Sequence, residues 1–398
     1  MTQAENTETS NMNDNGLVVA VDACRNKSGG ARIHLRGIFD GLDPQAYGIS
    51  EIHLWVHKGL ADKIPDQPWL VKHIPPALDK SIFHQLWWQA FHLTSEIEAA
   101  GCKICLSTTA SSSSRFSPVI AISRDMVSFE AGEMERYPLW SRQRWRVFAL
   151  KYIQIRSLRN ADAVVFLTIY ASSVIQTFTG KLSQVRIIHH GIGDNFRGVA
   201  KTPEKSLANK EVKCIYVSET HLYKHQWHVV DAIDQLRAKG FSIQLTLVGD
   251  VSNEGGVKLK RALREHDPNG EFVTLTGPLT HEKLIPYLKE TDIYIFASSC
   301  ENMPNTLVEG MAAGLPIACA KRGPMPDVLE DTGLYFDPEK PETIASSVQR
   351  LIEDDDLRHE LSKAAYDRAM QFSWERCARE TWSYIRDVAK QHSGKSTD

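Results

Sequence analysis

Short apolar runs of strand length alternate with longer amphipathic stretches along nearly the whole chain. The runs Gly16–Ala23, Ile52–His57, Lys103–Ser107, Val119–Ser123 and Ala163–Leu167 read as strands, and helical pattern separates most of them. The first run leads through the loop Cys24–Gly30 into a helical stretch, Ala31 to Phe39. After Arg186–His189 the chain turns polar, with Lys, Thr, Pro, Glu and Ser over Asn195–Glu211. The alternation then resumes, with strands at Val212–Ser218, Ile243–Val248, Phe272–Thr276, Asp292–Ser298 and Ile317–Ala320. Helices at Gln226–Ala238 and Glu282–Lys289 lie between them. Strand–helix alternation implies parallel sheet, and its restart implies two consecutive doubly wound α/β domains. The expected division is a disordered tail over 1–15, a first domain over 16–195 and a linker over 196–211. A second domain follows over 212–375, then a helix and tail over 376–398, the helix crossing back to the first domain. No period of twenty to fifty residues recurs, which argues against a solenoid.

The segment richest in chemistry runs from Glu301 through Asn-Met-Pro-Asn-Thr-Leu-Val to Glu309, then Gly310-Met-Ala-Ala-Gly314-Leu-Pro316. Pro304 suits the first turn of a helix, and Gly314 with Pro316 suits its end. Glu301 is therefore expected in a loop at the carboxyl end of a strand, and Glu309 more than a turn into the next helix. Ligands of open α/β sheets bind at such strand ends. Two carboxylates at different heights beside a helix N-terminus suit a molecule with hydroxyls at both ends and an anion between them, a description of a sugar nucleotide. For the spacing alone, a capping glutamate followed by a solvated helical one is the better explanation; the surrounding strand, loop, Pro304 and Gly314-Leu-Pro316 favour the ligand site.

Composition narrows the partners. The chain has 398 residues, 42% of them hydrophobic, and a net charge of −3. That charge gives no global attraction to nucleic acid or anionic lipid, so any such contact must be a local patch. Met1–Asn15 lacks the apolar core of a signal peptide, and no run of eighteen apolar residues occurs. A cytoplasmic protein, or one peripheral on the inner face of the cytoplasmic membrane, is expected. Seven cysteines in a chain too large to need staples suggest a reducing compartment. Cys102-Lys-Ile-Cys105 lies in an apolar stretch and reads as structural, and Glu353–Asp356 reads as a solvated helix face.

With Leu247-Val-Gly249-Asp250, the Glu301–Glu309 segment, Arg322-Gly-Pro-Met-Pro-Asp-Val-Leu and Gly333-Leu-Tyr-Phe-Asp-Pro338 in view, the chain resembles retaining glycosyltransferases of family 4. The resemblance covers about residues 16 to 390 and implies the GT-B fold, two Rossmann-like domains facing across a cleft, the first on the acceptor side and the second binding the nucleotide sugar. Ile122–Glu130, Arg159–Thr168 and Tyr223-Lys-His-Gln226 are similar to mannosyltransferase-like enzymes of bacterial surface polysaccharide synthesis. By this resemblance Glu301 contacts hydroxyls of the transferred sugar, and Glu309 contacts the ribose. The amides around Asn305, Thr306 and Leu307 face the diphosphate, and Gly249 belongs to the same donor site. Lys224, following a strand, reaches the β-phosphate. Many members carry an arginine five or six residues before that lysine; here Ser218 and Glu219 stand there.

Gly29-Gly30 is a tight turn by itself and, by the resemblance, a loop over the sugar and diphosphate. Arg124 replaces a histidine common at this position, and an arginine cannot accept a proton near neutrality. Arg124 is thus expected to stabilise charge, and Asp125 to orient a hydroxyl. His189-His190 reads as loop packing, since no further ligands of suitable spacing accompany it. No Asp-x-Asp triplet occurs at a strand end, so metal-independent transfer is expected. Seven cations from Arg136 to Arg159, interleaved with Trp140, Trp145, Phe148 and Tyr152, allow two readings. They form either a helix with aromatics in the core or one lying on anionic lipid.

The expected activity is retaining, nucleotide-sugar-dependent hexosyl transfer to a glycan or lipid-linked acceptor in surface polysaccharide (lipopolysaccharide) synthesis. No cofactor is expected beyond the GDP- or UDP-linked donor substrate, with mannose as the first sugar to test. The alternatives are a non-catalytic nucleotide-sugar-binding protein and a phosphorylase or epimerase of the same fold.

Overall fold

A computed structural model describes residues 16–26, 29–198, 200, 203–204 and 206–395. The tail expected at 1–15 lies outside them. The first sheet holds seven strands: β1 (Leu17–Asp22), β2 (Ile49–Trp55), β3 (Leu70–His73), β4 (Ile104–Ser107), β5 (Val119–Ser123), β6 (Ala163–Phe166) and β7 (Val185–Ile187). Its order is β3-β2-β1-β4-β5-β6-β7. The second holds β8 (Val212–Val217), β9 (Ile243–Val248), β10 (Val273–Gly277), β11 (Ile293–Phe296), β12 (Ile317–Ala320) and β13 (Leu334–Phe336), in the order β10-β9-β8-β11-β12-β13. Pairing is parallel in both. The chain is thus two doubly wound α/β sheets, as the alternation predicts.

Strands β4, β6, β11 and β12 are buried at every residue, which is why they read as continuous apolar runs. The strands absent from the sequence reading are β3, β7 and β13, each at a sheet edge and partly exposed. With only three or four residues, not all buried, each is too short to set a pattern; the longer edge strand β10 is legible. A short helix, Asp194–Arg197, also stands where the polar stretch begins. In both sheets the strand order reverses once, beside β1 and β4 and beside β8 and β11. Open α/β sheets bind ligands at such switch points, in the crevice outside the carboxyl ends of the strands.

The chain divides into two compact units that do not follow the sheets. One comprises the described residues up to Ile122 with Asn160–Ala163 and the residues from Arg379 onward; the other comprises Ser123–Arg159 and Val164–Ala378. Within the first unit, the carboxylate of Asp22 at the end of β1 is fully buried. Its oxygens accept from Gln89 Nε2 (2.7 Å), Ser112 Oγ (2.8 Å) and the Cys24 amide (3.2 Å), tying together the loops after β1 and β4. Cys102 and Cys105 are buried free thiols in this unit, and burial pushes Cys102 up to about 12, far from a reactive thiolate.

The C-terminal helix Trp374–Lys395 contributes Trp382 to the same unit. Its ring is fully buried, stands edge-on to Phe39 at 5.7 Å, and donates Nε1–H to the Ile38 carbonyl at 2.6 Å. Trp382→Ala should cost about 3–5 kcal/mol. Urea unfolding followed by circular dichroism checks this; a loss below about 1 kcal/mol would remove Trp382 from the load of that core.

Candidate active site

The site is built on the loop after β11 and the helix Asn305–Ala312 that follows it. Pro304 caps this helix from outside rather than sitting in its first turn as expected. Seating of the helix is close. A Cβ on Gly310 would lie 2.8 Å from the Tyr294 ring, and Tyr294 donates its hydroxyl to the Thr306 carbonyl at 2.7 Å. Small residues are therefore required where helix meets strand. This seating draws Glu309 inward to 9% exposure, and burial lifts its carboxyl from an ordinary 4.5 to about 8. His281 Nε2 stands 3.8 Å from Glu309 Oε1. At the helix start, the Asn305 amide donates to Met303 O and the Leu307 amide to Pro304 O, both at 3.0 Å. The Asn305 side chain meets His190 Nδ1 at 3.3 Å.

Lys224 comes to this loop from the connection after β8. Tyr216, on β8, donates its hydroxyl to the Lys224 carbonyl at 2.8 Å, and the next residue, His225, is held in the left-handed region at φ 53°. Non-glycine residues adopt that conformation at a cost, so the turn is fixed by its contacts. The Lys224 ammonium ion-pairs with Glu301 Oε1, with both side chains mostly buried at 12% and 15% exposure. Two residues 77 apart in sequence, each singled out alone, thus meet.

Ser299 ties three segments together beside Glu301. Its amide donates to Tyr223 O (2.8 Å), and its hydroxyl contacts His225 Nε2 (3.0 Å) and donates to Glu133 Oε1 (2.6 Å). Burial pushes His225 down to about 2, so the ring is neutral and its Nε2–H can donate to Ser299. The other oxygen of Glu133 accepts from Arg136 Nε at 2.7 Å, and Arg136 also pairs with Glu339 at 2.6 Å. The stretch after β5 is thereby fastened to the loop that carries Glu301.

Arg124 and Asp125 begin that stretch. Burial lowers the Arg124 guanidinium to about 10, leaving it a cation at neutral pH, and its charge adds to burial in pushing His190 down to about 3. The Asp125 carboxylate accepts from the Val127 amide and from Gln154 Nε2, both at 3.2 Å, and so shapes its own loop. Gly249, at φ 144°, has a packing reason to be glycine: a Cβ would meet Ser218 O at 2.1 Å. Gly29 and Gly30 open the helix Gly29–Phe39 in the other unit, exposed, with open space where a Gly29 Cβ would stand. Ser218 donates to Glu219 O, and Glu219 faces His221 at 3.3 Å, so neither replaces the arginine of the resembled family. His189 Nδ1 meets Leu167 O at 2.7 Å, in loop packing. Asp354 caps the helix Asp355–Ala369 through the Leu357 amide.

Glu133, Ser299 and His281 escaped the sequence reading. Each is a common residue in a polar stretch, without a spacing that marks it.

Residues 200–368 match the family model described as glycosyl transferases group 1. Among curated proteins, O-antigen chain mannosyltransferase B of Escherichia coli is 30% identical over 98 residues, 24% of this chain and 26% of that protein. D-inositol 3-phosphate glycosyltransferase of Corynebacterium kroppenstedtii is 30% identical over 122 residues, 30% of this chain and 27% of that protein. The matched segments thus span about a quarter of these relatives. Among solved structures, sucrose-phosphate synthase from Thermosynechococcus elongatus superposes with a TM-score of 0.74 at 19% identity, covering 94% of this chain and 99% of that one. Anabaena HepE, solved in complex with UDP-glucose, gives 0.67 at 16% identity, covering 95% of this chain and all of that one. With the two parallel sheets, these likenesses define the GT-B fold.

The raised Glu309 carboxyl has a consequence for stability. Between its ordinary pKa and about 8 the folded chain binds the extra proton, so its contribution to stability falls as pH rises through that window. Glu309→Gln should flatten this decline, matching wild type near pH 5 and exceeding its melting temperature at pH 8. Thermal melts across that range check it; parallel curves would show that Glu309 ionises freely.

Proposed function

We propose that the protein is a retaining glycosyltransferase that moves a hexose from a nucleoside diphosphate donor to an acceptor hydroxyl, without a metal. The observation that carries this reading is the meeting of Lys224 with Glu301 beside a helix that holds Glu309 buried, all inside the segment matching the group 1 transferases. Glu301 positions the sugar, and Lys224 answers the charge that grows on the leaving diphosphate. The start of the helix Asn305–Ala312, with Asn305, Thr306 and Leu307, adds its partial positive end. Gly249 keeps the neighbouring turn tight.

In the transfer, the acceptor oxygen bonds to the anomeric carbon on the face the diphosphate leaves. The carbon–oxygen bond to phosphate breaks, its electron pair stays on phosphate, and phosphate takes the acceptor proton. Arg124, a cation that cannot accept a proton, stabilises charge in this step, and Asp125 holds the loop that presents it. Mannose from GDP-mannose is the first donor to test, with a glycan or lipid-linked acceptor of surface polysaccharide. The named relatives leave the choice open, since their names indicate different sugars and acceptors. Ser218 and Glu219 at the place of a family arginine favour a second reading, donor binding without transfer.

Thermal melts with GDP, UDP, ADP and dTDP test the donor site. A ligand at a hundred times its Kd adds about 2.7 kcal/mol. One diphosphate should shift the melt, and the shift should vanish in Glu309→Ala; no shift with any would sink the reading. Ribose hydroxyls donating to Glu309 would favour its ionised form, so binding near pH 7 should release a proton. Calorimetry in buffers of different ionisation enthalpy reads that release, which Glu309→Gln should abolish.

With the donor known, product analysis distinguishes transfer from binding. A charge-assisted hydrogen bond is worth about 1.5–3 kcal/mol, so Glu301→Gln should lower kcat/KM roughly ten- to several-hundred-fold. A value within threefold of wild type contradicts the assigned role.

A further inference from the structure

The helix Arg142–Asn160, with the turn before it, is the strongest surface feature that the proposed chemistry does not use. Of the two readings its sequence allows, the structure removes one. Trp140, Trp145, Phe148 and Tyr152 are not core: they are 88%, 57%, 56% and 68% exposed. The buried side of the helix is instead Val147, Gln154 and Leu158, and Gln154 anchors it by bonding Ser128 (2.8 Å) and Asp125 (3.2 Å). The outward face therefore carries a band of large rings at helical spacing, with Arg142, Arg146 and Arg156 exposed on the same side. No acidic residue occurs between Arg136 and Ala161, in a chain whose net charge is −3. Cation and apolar surface are concentrated together, against the average of the molecule.

We propose that this face docks on an anionic lipid surface. The helix lies in the plane of the interface, with the rings among the headgroups and upper acyl chains and the arginines on lipid phosphates. Charge complementarity selects this occupant. A second copy docked on the same face would set arginines against arginines. A soluble anionic polymer would satisfy the cations but offer no apolar layer to Phe148, whose ring meets Trp145 edge-on at 6.1 Å and otherwise faces water. Tryptophan and tyrosine are also the side chains that prefer the headgroup level. The proposal stands on the surface alone and does not depend on the reaction assigned above. A membrane position would nonetheless suit a lipid-linked acceptor, because Glu133, which bonds Ser299 beside Glu301, lies only nine residues before Arg142.

The test is co-sedimentation of the full chain with vesicles of phosphatidylcholine alone and of two parts phosphatidylcholine to one part phosphatidylglycerol, at low and high salt. Wild type should pellet with the anionic vesicles only, and less at high salt. Each arginine near the surface is worth roughly fivefold in partition, so Arg142→Gln, Arg146→Gln and Arg156→Gln together should lower it on the order of 100-fold. Trp140→Ser, Trp145→Ser and Phe148→Ser together should lower it at least about tenfold, with the melting temperature unchanged because these rings are exposed. Equal binding to both vesicles, or to neither, overturns the proposal. So does retention on soluble dextran sulfate without vesicle binding, which would make the patch a polyanion site. Triple variants that pellet like wild type would overturn it as well.

Discussion

The close seating of one short helix on strand β11 is the constraint on which the candidate site depends. Gly310 leaves no room for a side chain against Tyr294, and Tyr294 holds the first turn through the Thr306 carbonyl. The same approach places Glu309 in the interior, where its proton is retained near neutrality. It also fixes where the preceding loop must run, and hence where Glu301 meets Lys224. A wider seating would hydrate Glu309 and return it to an ordinary carboxylate. The glycine of this helix thus has a packing reason.

Around that helix the site is over-determined by polar contacts from distant segments. Ser299 alone joins the turn after β8, through Tyr223 and His225, to the stretch after β5, through Glu133. Such networks specify one arrangement because every member left unpaired in the interior costs free energy. The left-handed backbone of His225 fits the same account: strain in one residue is held by bonds from its neighbours. Preorganisation of this kind lets a lysine and a carboxylate be held together, mostly buried, before any ligand arrives.

The surface follows a different logic from the interior. Large rings on the helix Arg142–Asn160 face solvent although buried positions of the same helix are small in number and modest in size. Folding therefore leaves them free for a partner, and the surrounding arginines limit its charge.

Sequence by itself determined the alternation of strand and helix and the two parallel sheets, and it singled out Lys224, Glu301 and Glu309 as separate candidate positions. It could do so because strands buried on both faces are written as unbroken apolar runs, and because Pro and Gly punctuate the helix beside them. Edge strands β3, β7 and β13 were illegible, since three or four partly exposed residues are too few to set a pattern, whereas the five-residue edge strand β10 was legible. Only the tertiary structure decided that Lys224 pairs with Glu301, that Glu133 reaches Ser299, and that Gly249 is demanded by Ser218. It alone turned the rings of Trp145 and Tyr152 outward. Periodicity says that a residue has a face, but which face is covered depends on what another part of the chain brings against it.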